Sequence, residues 1–458
     1  MKKLIFAACM ALGLVGCGGG GGSSVDATAD ALKAKVAVPD PTLAAQAISV
    51  VNTTTAGDQV FRSIGALNDG GYTVSWISDN TTLFIQRYDS AGNKVGGETA
   101  IPISVVAVPT ASPCNCDAAT AIRQSSIAVL GDGSVVVAYE IDRLVGEVGA
   151  FLQFNQGVYI QRFDANGVQL LAETEVFSRL ALSTSRPSFL SDPTVRSLAD
   201  GGFVVAWNTQ VPQLTNLSTS QVFERRYDSQ AQPSGAAVTV GSFLLQDQSG
   251  AGFTLVPDAR GGYTLTVSHL DLTFSPIVSV IHYDVTDAAT QIIAPRAGAV
   301  LVLPLEGDRF VLFSSGSTGI FRQFLDSAGN PVGDPSPISS MPFAAKELMD
   351  GSYLVFWNIA GTITAQRFDS AGAPMGNLLT LQTSASVPGI APLIDGGFAA
   401  AWSAPSTAGD LDVFTQRFIE VLTLDQAALR AKRKACLAGA KGRGGQERKA
   451  FMDACLSS

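Results

Sequence analysis

The chain has 458 residues, of which 46% are hydrophobic and only 15% charged, with 46 glycines and a formal net charge of -9. This composition excludes an intrinsically disordered chain and a collagen-like one, and the acidic balance argues against general nucleic-acid binding, which needs a basic face. The length suits about three average domains or one large all-β ring, so internal repeats must decide between them.

The N-terminus predicts a cleaved export signal. Two lysines precede an apolar run, Leu4 to Leu14, that is too short to span a bilayer. The segment Leu14-Val-Gly-Cys17 that follows resembles the lipobox of bacterial lipoproteins. That resemblance implies cleavage before Cys17, acylation of its thiol and new amine, and sorting to the outer membrane, because Gly18 rather than Asp comes next. The alternative is an ordinary secretory signal with an accidental cysteine.

Two half-motifs then recur seven times each. The first is an Asp-Gly turn followed by an apolar strand, as in Asp200-Gly-Gly-Phe-Val-Val-Ala-Trp207, and its copies begin at Asp69, Asp132, Asp200, Arg260, Gly307, Asp350 and Asp395. The second is a strand ending in Gln-Arg-aromatic-Asp, with copies at 86–89, 161–164, 225–228, 281–284, 323–326, 366–369 and 416–418. The sequence of each unit predicts four short strands, which are joined by turns containing Gly, Asn and Asp. The later units begin about 43 to 47 residues apart, which is the spacing of propeller blades.

We therefore predict an all-β fold, a seven-bladed β-propeller over residues 46–423. It follows a signal peptide with the lipidation site (1–17) and a flexible tether (18–45), and it precedes a small C-terminal α-helical hairpin (424–458). A ring of blades explains strands that are apolar on both faces and leaves few exposed edges. The seventh unit lacks a fourth strand, and we expect Ala47–Val51 to supply it; a free N-terminal segment is the alternative.

The repeats resemble those of large bacterial secreted and haemolysin-type calcium-binding proteins over roughly residues 60 to 420. The resemblance implies an architecture rather than an activity. Calcium dependence is not carried over, because the sequence has none of the glycine- and aspartate-rich nonapeptides that bind calcium in those proteins. We predict no metal site and no cofactor.

The repeated side chains have a structural and a functional interpretation, and we favour the structural one. The aromatic residues should pack between blades rather than form a binding cage; they are Trp76, Tyr139, Trp207, Trp357 and Trp402. The aspartates should cap turns rather than bind metal; they are Asp89, Asp164, Asp228, Asp326 and Asp369. The arginines should join neighbouring blades; they are Arg87, Arg162, Arg226, Arg367 and Arg417.

We predict no catalytic residues. His269 and His282 are the only histidines, and no metalloprotease, nucleophile-elbow, phosphate-loop or dinucleotide motif appears. We expect the histidines to be structural, with a two-histidine site as the alternative.

Three long insertions interrupt the repeats, and propeller geometry predicts that they share one rim. They are Ala107–Ala121, Glu140–Gly157 and Asn208–Ser220. Loops on a rigid scaffold commonly carry recognition, so we name this rim as the candidate binding surface; the alternative is that the insertions only pack over the end of the ring. Its candidate residues are Glu140, Asp142, Arg143, Glu147, Phe151 and Phe154. Cys114 and Cys116 lie in the first insertion. We expect them to form a disulfide within the loop; a redox pair is the alternative.

Past Leu424 the chain becomes basic and helical in pattern. Two helices are expected, Leu424–Gly439 and Gln446–Leu456, and a Cys436–Cys455 bridge would staple them. The pieces Lys434-Ala-Cys436 and Glu447–Leu456 resemble the PsiF repeat of bacterial periplasmic proteins. The basic face of this hairpin is solvated, or it meets anionic lipid or the acidic propeller.

Three hypotheses for function follow from these features. The first is a lipid-anchored envelope protein that binds a protein or glycan without catalysis, through the insertion-bearing rim. The second is a polysaccharide-acting enzyme with a site at the propeller channel or rim. The third is a structural envelope scaffold whose basic hairpin docks a neighbour. The sequence carries no signal for an oligomeric state.

Overall fold

The structure is a computed structural model, and the chain separates into two units, residues 1–39 and 40–458. The structure describes the following residues: 42–104, 120–148, 151–183, 192–212, 218–245, 252–257, 262–270, 276–284, 286, 288–297, 299–305, 309–316, 318–383, 388–407, 409–422, 431–432, 435–436, 439, 451 and 454–455. No helix in these ranges is long and apolar enough to cross a membrane.

The described strands form seven antiparallel blades. Blade 1 is β3 (Gln59–Ala66), β4 (Tyr72–Ser78), β5 (Thr82–Tyr88) and β6 (Lys94–Ala100); blade 2 is β7 (Thr120–Val129), β8 (Val135–Val148), β9 (Phe151–Phe163) and β10 (Gln169–Ser183). Blade 3 is β11 (Thr194–Ser197), β12 (Phe203–Pro212), β13 (Ser218–Tyr227) and β14 (Val238–Leu245); blade 4 is β15 (Gly252–Pro257), β16 (Tyr263–Leu270), β17 (Pro276–Tyr283) and β18 (Ala289–Ala297). Blade 5 is β19 (Ala299–Leu305), β20 (Arg309–Gly316), β21 (Gly319–Leu325) and β22 (Pro331–Ile338); blade 6 is β23 (Ala344–Glu347), β24 (Tyr353–Ile359), β25 (Thr362–Phe368) and β26 (Pro374–Thr383). Blade 7 is β27 (Gly389–Pro392), β28 (Phe398–Pro405), β29 (Leu411–Val421) and β1 (Thr42–Ala45), and β2 (Ser49–Val50) also pairs with β29.

The first strand of each blade lies nearest the axis of the ring. β3 contacts both β7 and β27, β11 contacts β7 and β15, and β23 contacts β19 and β27. First strands therefore neighbour one another around the axis, and each blade continues outward through its second, third and fourth strands. The predicted all-β seven-bladed propeller is confirmed.

The N-terminal segment completes blade 7, as predicted, but its position differs from the prediction. The principal outer strand is β1, which pairs Thr42 with Val421 and Ala45 with Phe418; these residues had been assigned to the tether. The expected Ala47–Val51 contributes only the short β2. The two strands are separated at Gln46, whose carbonyl accepts a 2.8 Å hydrogen bond from the Gln416 side chain.

The repeated aromatic residues form the cores between blades. Trp76, Tyr139 and Trp207 are buried, and each contacts an aromatic ring on the third strand of its own blade, as Trp207 does with Phe223 at 5.7 Å between ring centroids. The cluster around Trp76 also includes Leu393 of blade 7. The aromatic residues pack the fold, as predicted, and do not form a cage.

The repeated aspartates cap the outer turns, as predicted. One carboxylate oxygen of each accepts hydrogen bonds from the backbone N–H groups two and four positions later, at 2.8–2.9 Å; these aspartates are Asp89, Asp164, Asp228, Asp326 and Asp369. This geometry satisfies the donors of a tight turn and needs no metal ion.

The repeated arginines join neighbouring blades, as predicted. Each pairs with the Asp-Gly aspartate of its own blade, in the pairs Arg87–Asp69, Arg162–Asp132, Arg226–Asp200, Arg367–Asp350 and Arg417–Asp395. Some also reach the next blade: Arg87 donates to the carbonyl of Ala165 and Arg162 to that of Ser229. The guanidinium therefore links two turns of adjacent sheets.

The C-terminal segment is described at only eight residues. Residues 431–432, 435–436, 439, 451 and 454–455 have helical backbone conformation. Cys436 and Cys455 form a disulfide, with an S–S distance of 1.99 Å, as predicted. The complete hairpin stays a prediction, because most of its residues lie outside the described ranges.

The repeated arginines should contribute different amounts to the free energy of unfolding, because they are buried to different degrees. Arg367 bonds Asp350 at 2.7 Å and Glu420 of blade 7 at 2.8 Å, and its side chain and that of Glu420 are almost fully buried. We expect Arg367→Met to lower the free energy of unfolding by about 3–5 kcal/mol, because it leaves a buried carboxylate without its cation. Chemical denaturation of the purified chain measures this.

The matched control for this prediction is Arg87→Met, at the same repeat position. Arg87 and its partner Asp69 are both partly exposed, so the expected loss is about 1 kcal/mol or less. Equal losses for the two variants would contradict the assignment of a buried contact between blades 6 and 7.

Candidate functional site

Blade 2 departs from the other blades by the length of its strands. β8, β9 and β10 have 14, 13 and 15 residues, whereas the fourth strands of blades 1 and 3 have 7 and 8. The predicted insertion Glu140–Gly157 is therefore not a loop, because β8 and β9 stay paired from Val135 and Phe163 to Val148 and Phe151. β10 follows β9 out to Ser183. The ends of these three strands form what we call the blade 2 extension, residues 140–148, 151–157 and 173–183.

The other two insertions are described only in part. Thr120 and Ala121 already belong to β7, and the rest of Ala107–Ala121 lies outside the described residues, with Cys114 and Cys116 in it. The segment Asn208–Ser220 continues β12 and β13, and its residues 213–217 lie outside the described ranges. Cys17 lies outside them as well.

Most of the predicted charged residues of the rim lie inside the protein. Glu140, Asp142 and Arg143 are buried, as is Phe154. The expectation that they form an exposed recognition surface is wrong, because their charges find partners on other strands of blade 2 and on blade 1.

Asp142 is the centre of one of these internal networks. Its two carboxylate oxygens accept hydrogen bonds from Arg123 Nε at 3.1 Å and from Gln156 Nε2 at 3.0 Å. The Gln156 oxygen in turn accepts from Nε and Nη2 of Arg179, at 3.3 and 3.2 Å. Burial lowers the pKa of Arg179, against the opposing effect of Glu140 and Asp142.

Arg143 is the centre of a second network. It forms an ion pair with Glu173 at 2.5 Å and donates to the carbonyl of Ser104 at 3.0 Å, and its guanidinium stacks over the Tyr159 ring at 4.5 Å. Tyr139 donates its hydroxyl to Glu173 at 3.0 Å, and burial raises the pKa of Tyr139 above its ordinary value. The phenol therefore serves as a neutral hydrogen-bond donor.

The far end of the blade 2 extension is exposed and apolar. Val148 and Phe151 form the last cross-strand pair of β8 and β9, and Val145 and Leu180 lie on the same extension. All four are exposed, with Phe151 at 48% and Leu180 at 64%. We call these residues the apolar tip. Phe151 and Glu147 are the predicted rim residues that are exposed.

A further hydrogen bond joins the first strands of blades 1 and 2. Arg62 of β3 donates to Gln124 of β7 at 3.2 Å. Burial lowers the pKa of Arg62, and Asp192 and Glu140 oppose this.

The two histidines are separated in blade 4. His269 Nε2 lies 2.8 Å from Ser279 Oγ, and His282 Nδ1 lies 3.5 Å from Thr264 Oγ1. In the β16–β17 ladder His269 pairs with Ile277 and His282 with Thr264, so the rings lie at opposite ends of the hairpin. A two-histidine site is therefore wrong. Among the described residues no group of three or more His, Cys, Asp or Glu could hold a metal ion.

Sequence reasoning missed the role of the repeated glutamine. Gln86, Gln323 and Gln366 each donate Nε2 to a backbone carbonyl nine residues later, on the outer strand of the same blade, at 2.9–3.2 Å. The β-ladder shifts register at this point in each blade. The side-chain amide thus replaces a ladder bond at a bulge. Its recurrence next to the arginine was the signal that could have revealed it.

We expect the buried networks to stabilise the fold, and the variant Asp142→Ala tests this. Removing this carboxylate leaves Gln156 Nε2 and the partly exposed Arg123 without this acceptor, so we expect a loss of about 1–3 kcal/mol in the free energy of unfolding. The control Glu147→Ala changes an exposed acid on the same strand and should alter stability by less than about 0.5 kcal/mol. A small effect of Asp142→Ala in chemical denaturation would contradict the network.

Comparison with known proteins finds one family match and several structural similarities. Residues 426–457 match the psiF repeat, and no curated protein sequence matches the chain. A protein of unknown function from Dyadobacter fermentans has a TM-score of 0.45 at 13% identity, over 66% of this chain and 96% of that one. The β-propeller domain of the Trilobed protease from Pyrococcus furiosus has a TM-score of 0.42 at 10% identity, over 80% and 98%. A prolyl endopeptidase has a TM-score of 0.41 at 16% identity, over 79% of this chain and 47% of that one. Similarities of this size do not bear on the activity of the chain; the C-terminal residues are similar to the psiF repeat.

Proposed function

We propose that this protein is an envelope lipoprotein, anchored by Cys17 in the outer membrane, that binds a protein partner without catalysis. The partner docks on the apolar tip and along the adjacent edge of β10. The apolar tip is the single observation that carries this proposal, because several exposed large hydrophobic side chains on one sheet extension are typical of interaction sites.

The edge of β10 favours a polypeptide over a glycan as the partner. Among the described strands, β10 pairs only with β9, and at 15 residues it is longer than the other outer strands. A sheet edge of this length offers backbone donors and acceptors to an extended segment, while side-chain pockets or patches give specificity. The apolar tip supplies such a patch at the end of the edge.

The internal networks support binding rather than catalysis. Asp142 is paired with Arg123, and Arg143 is paired with Glu173, which also accepts a hydrogen bond from Tyr139. These contacts hold the three extended strands together and leave the apolar tip as the exposed feature. A rigid, pre-shaped surface binds with less loss of conformational entropy than a mobile loop would.

The docking surface can be tested by site-specific photo-crosslinking in cells. We expect a benzophenone side chain at Phe151 to form a crosslink to one discrete protein, because the partner covers the apolar tip. Leu180→Asp should abolish this crosslink by placing a charge in the interface. Gel shift and mass spectrometry of the adduct give the measurement.

The matched control carries the probe at Val332, an exposed apolar residue on the outer strand of blade 5. Adducts of the same kind at Phe151 and Val332, or a crosslink that survives Leu180→Asp, would overturn the docking surface. A crosslink to a glycan rather than to a protein would overturn the choice of partner.

The lipid anchor can be tested separately with Cys17→Ser. We expect this change to abolish incorporation of labelled palmitate and to move the protein from the membrane to the soluble fraction, because stable anchoring needs more than one acyl chain. Cys9→Ser, in the segment predicted to be cleaved, is the control and should leave both unchanged. Retention of palmitate label by Cys17→Ser would contradict the lipidation site.

A further inference from the structure

The chain leaves blade 7 at one rim of the ring, which we call the turn rim. This rim carries the inner turns, which follow the first strands of the blades, and the outer turns, which follow the third strands. β5 and β25 end in outer turns capped by Asp89 and Asp369. β29 instead passes Phe418, which occupies the position of Tyr88 in blade 1, and continues to Val421. Blade 7 therefore lacks an outer turn, and the C-terminal segment begins at its place.

The outer turns give the turn rim a net negative charge. Among the described residues no ion pair is present for the six aspartates that cap them: Asp89, Asp164, Asp228, Asp284, Asp326 and Asp369. Backbone N–H groups of the turns lower the pKa of Asp89, Asp164 and Asp326, so these carboxylates are ionised at neutral pH. The described aspartates of the inner turns are paired with arginines. The uncompensated charge therefore lies on the outer turns.

Two large apolar side chains are exposed on the turn rim beside this exit. Met349 lies in the inner turn of blade 6 and Ile394 in that of blade 7, each directly before the aspartate of the Asp-Gly turn. Met349 is 54% exposed and Ile394 39%, and Val421 at the end of β29 is 49% exposed. The other five repeats have a small or polar residue at this position, namely Asn68, Gly131, Ala199, Ala259 and Glu306. The apolar surface is therefore confined to the blades next to the exit of the chain.

The C-terminal segment has a composition that complements this surface. Residues 424–458 contain eight basic and three acidic side chains. Cys436 is buried and bonded to Cys455, whereas Ala431, Ala435 and Gly439 are exposed and, at a spacing of four, lie on one helix face. Such small side chains allow close approach to another surface. A stapled hairpin of this length is too small to form a sufficient core of its own, so its apolar residues need a surface elsewhere.

We propose that residues 424–458 fold back onto the turn rim of their own propeller, over blades 6 and 7. Their apolar side chains cover Met349 and Ile394, and their basic side chains face the neighbouring outer turns, at Asp369 on blade 6 and Asp89 on blade 1. Docking within the chain is favoured over a bilayer or a second copy, because the segment starts on this rim and its effective concentration there is high. The docking depends neither on the lipid anchor nor on the apolar tip, which lies at the opposite end of the strands.

Carbodiimide crosslinking of the purified full chain tests this docking, because the reagent joins a lysine amine only to a carboxylate in contact with it. We expect mass spectrometry to find the lysines of residues 424–458 joined to Asp369 or Asp89. Asp228 is the internal control, because it is exposed on the outer turn of blade 3, away from the exit, and should not react. Equal crosslinking to Asp228 would overturn the docking.

The same crosslinks distinguish the other partners of the segment. In an equal mixture of unlabelled and isotope-labelled chains, we expect each crosslink to join residues of one chain, and mixed-label products would assign the segment to a second copy. Vesicles of phosphatidylethanolamine and phosphatidylglycerol should leave the crosslinks unchanged. Loss of the crosslinks on these vesicles would assign the segment to an anionic bilayer and overturn the proposal.

The variant Ile394→Asp tests the apolar part of the contact. We expect trypsin to cleave residues 424–458 about tenfold faster in this variant, because cleavage follows the population of the undocked segment. Val238→Asp is the matched control, since Val238 is an exposed apolar residue of blade 3, and it should be cleaved as the native chain is. High salt should also speed cleavage of the native chain. Equal cleavage of the native chain and Ile394→Asp would contradict the docking.

Discussion

The arginine on the third strand of a blade holds the ring together by using its guanidinium in two directions. One side pairs with the aspartate of the Asp-Gly turn in the same blade, and the other reaches an oxygen on the next blade, as in Arg162 with Asp132 and Ser229. Five donors in one plane make this possible, and a lysine could not replace it. The contact is most buried at Arg367 and Glu420, which lies on the strand that the N-terminus covers.

Ring closure depends on contacts between residues that are far apart in sequence. Besides the β1–β29 ladder, Asn52 donates to Asp412 at 2.7 Å and accepts from the Val413 N–H at 2.8 Å, and both contacts are buried. These groups meet only after all seven units have been positioned. Since closing so long a segment is entropically costly, the ring should gain much of its cooperativity from this last step, and the edge of β29 is thereby removed from solvent.

The sequence predicts residues whose roles repeat and fails where a blade departs from the repeat. The aromatic, aspartate and arginine positions act within one unit or between adjacent units, so the period alone placed Trp207, Asp164 and Arg162 correctly. Asp142 and Arg143 were interpreted as surface charges, because their partners on β7 and β10 lie 19 and 30 residues away.

Blade 2 reverses the usual arrangement of polar and apolar groups in its extension. Charged side chains are buried between the strands, while Phe151 and Leu180 are exposed. Buried ion pairs contribute little to stability compared with apolar packing, so the extension does not owe this arrangement to stability alone. The networks instead give three long strands one defined register, because each charge has a specific partner. A partner that meets the exposed end therefore finds a surface that is already ordered, which lowers the entropic cost of binding.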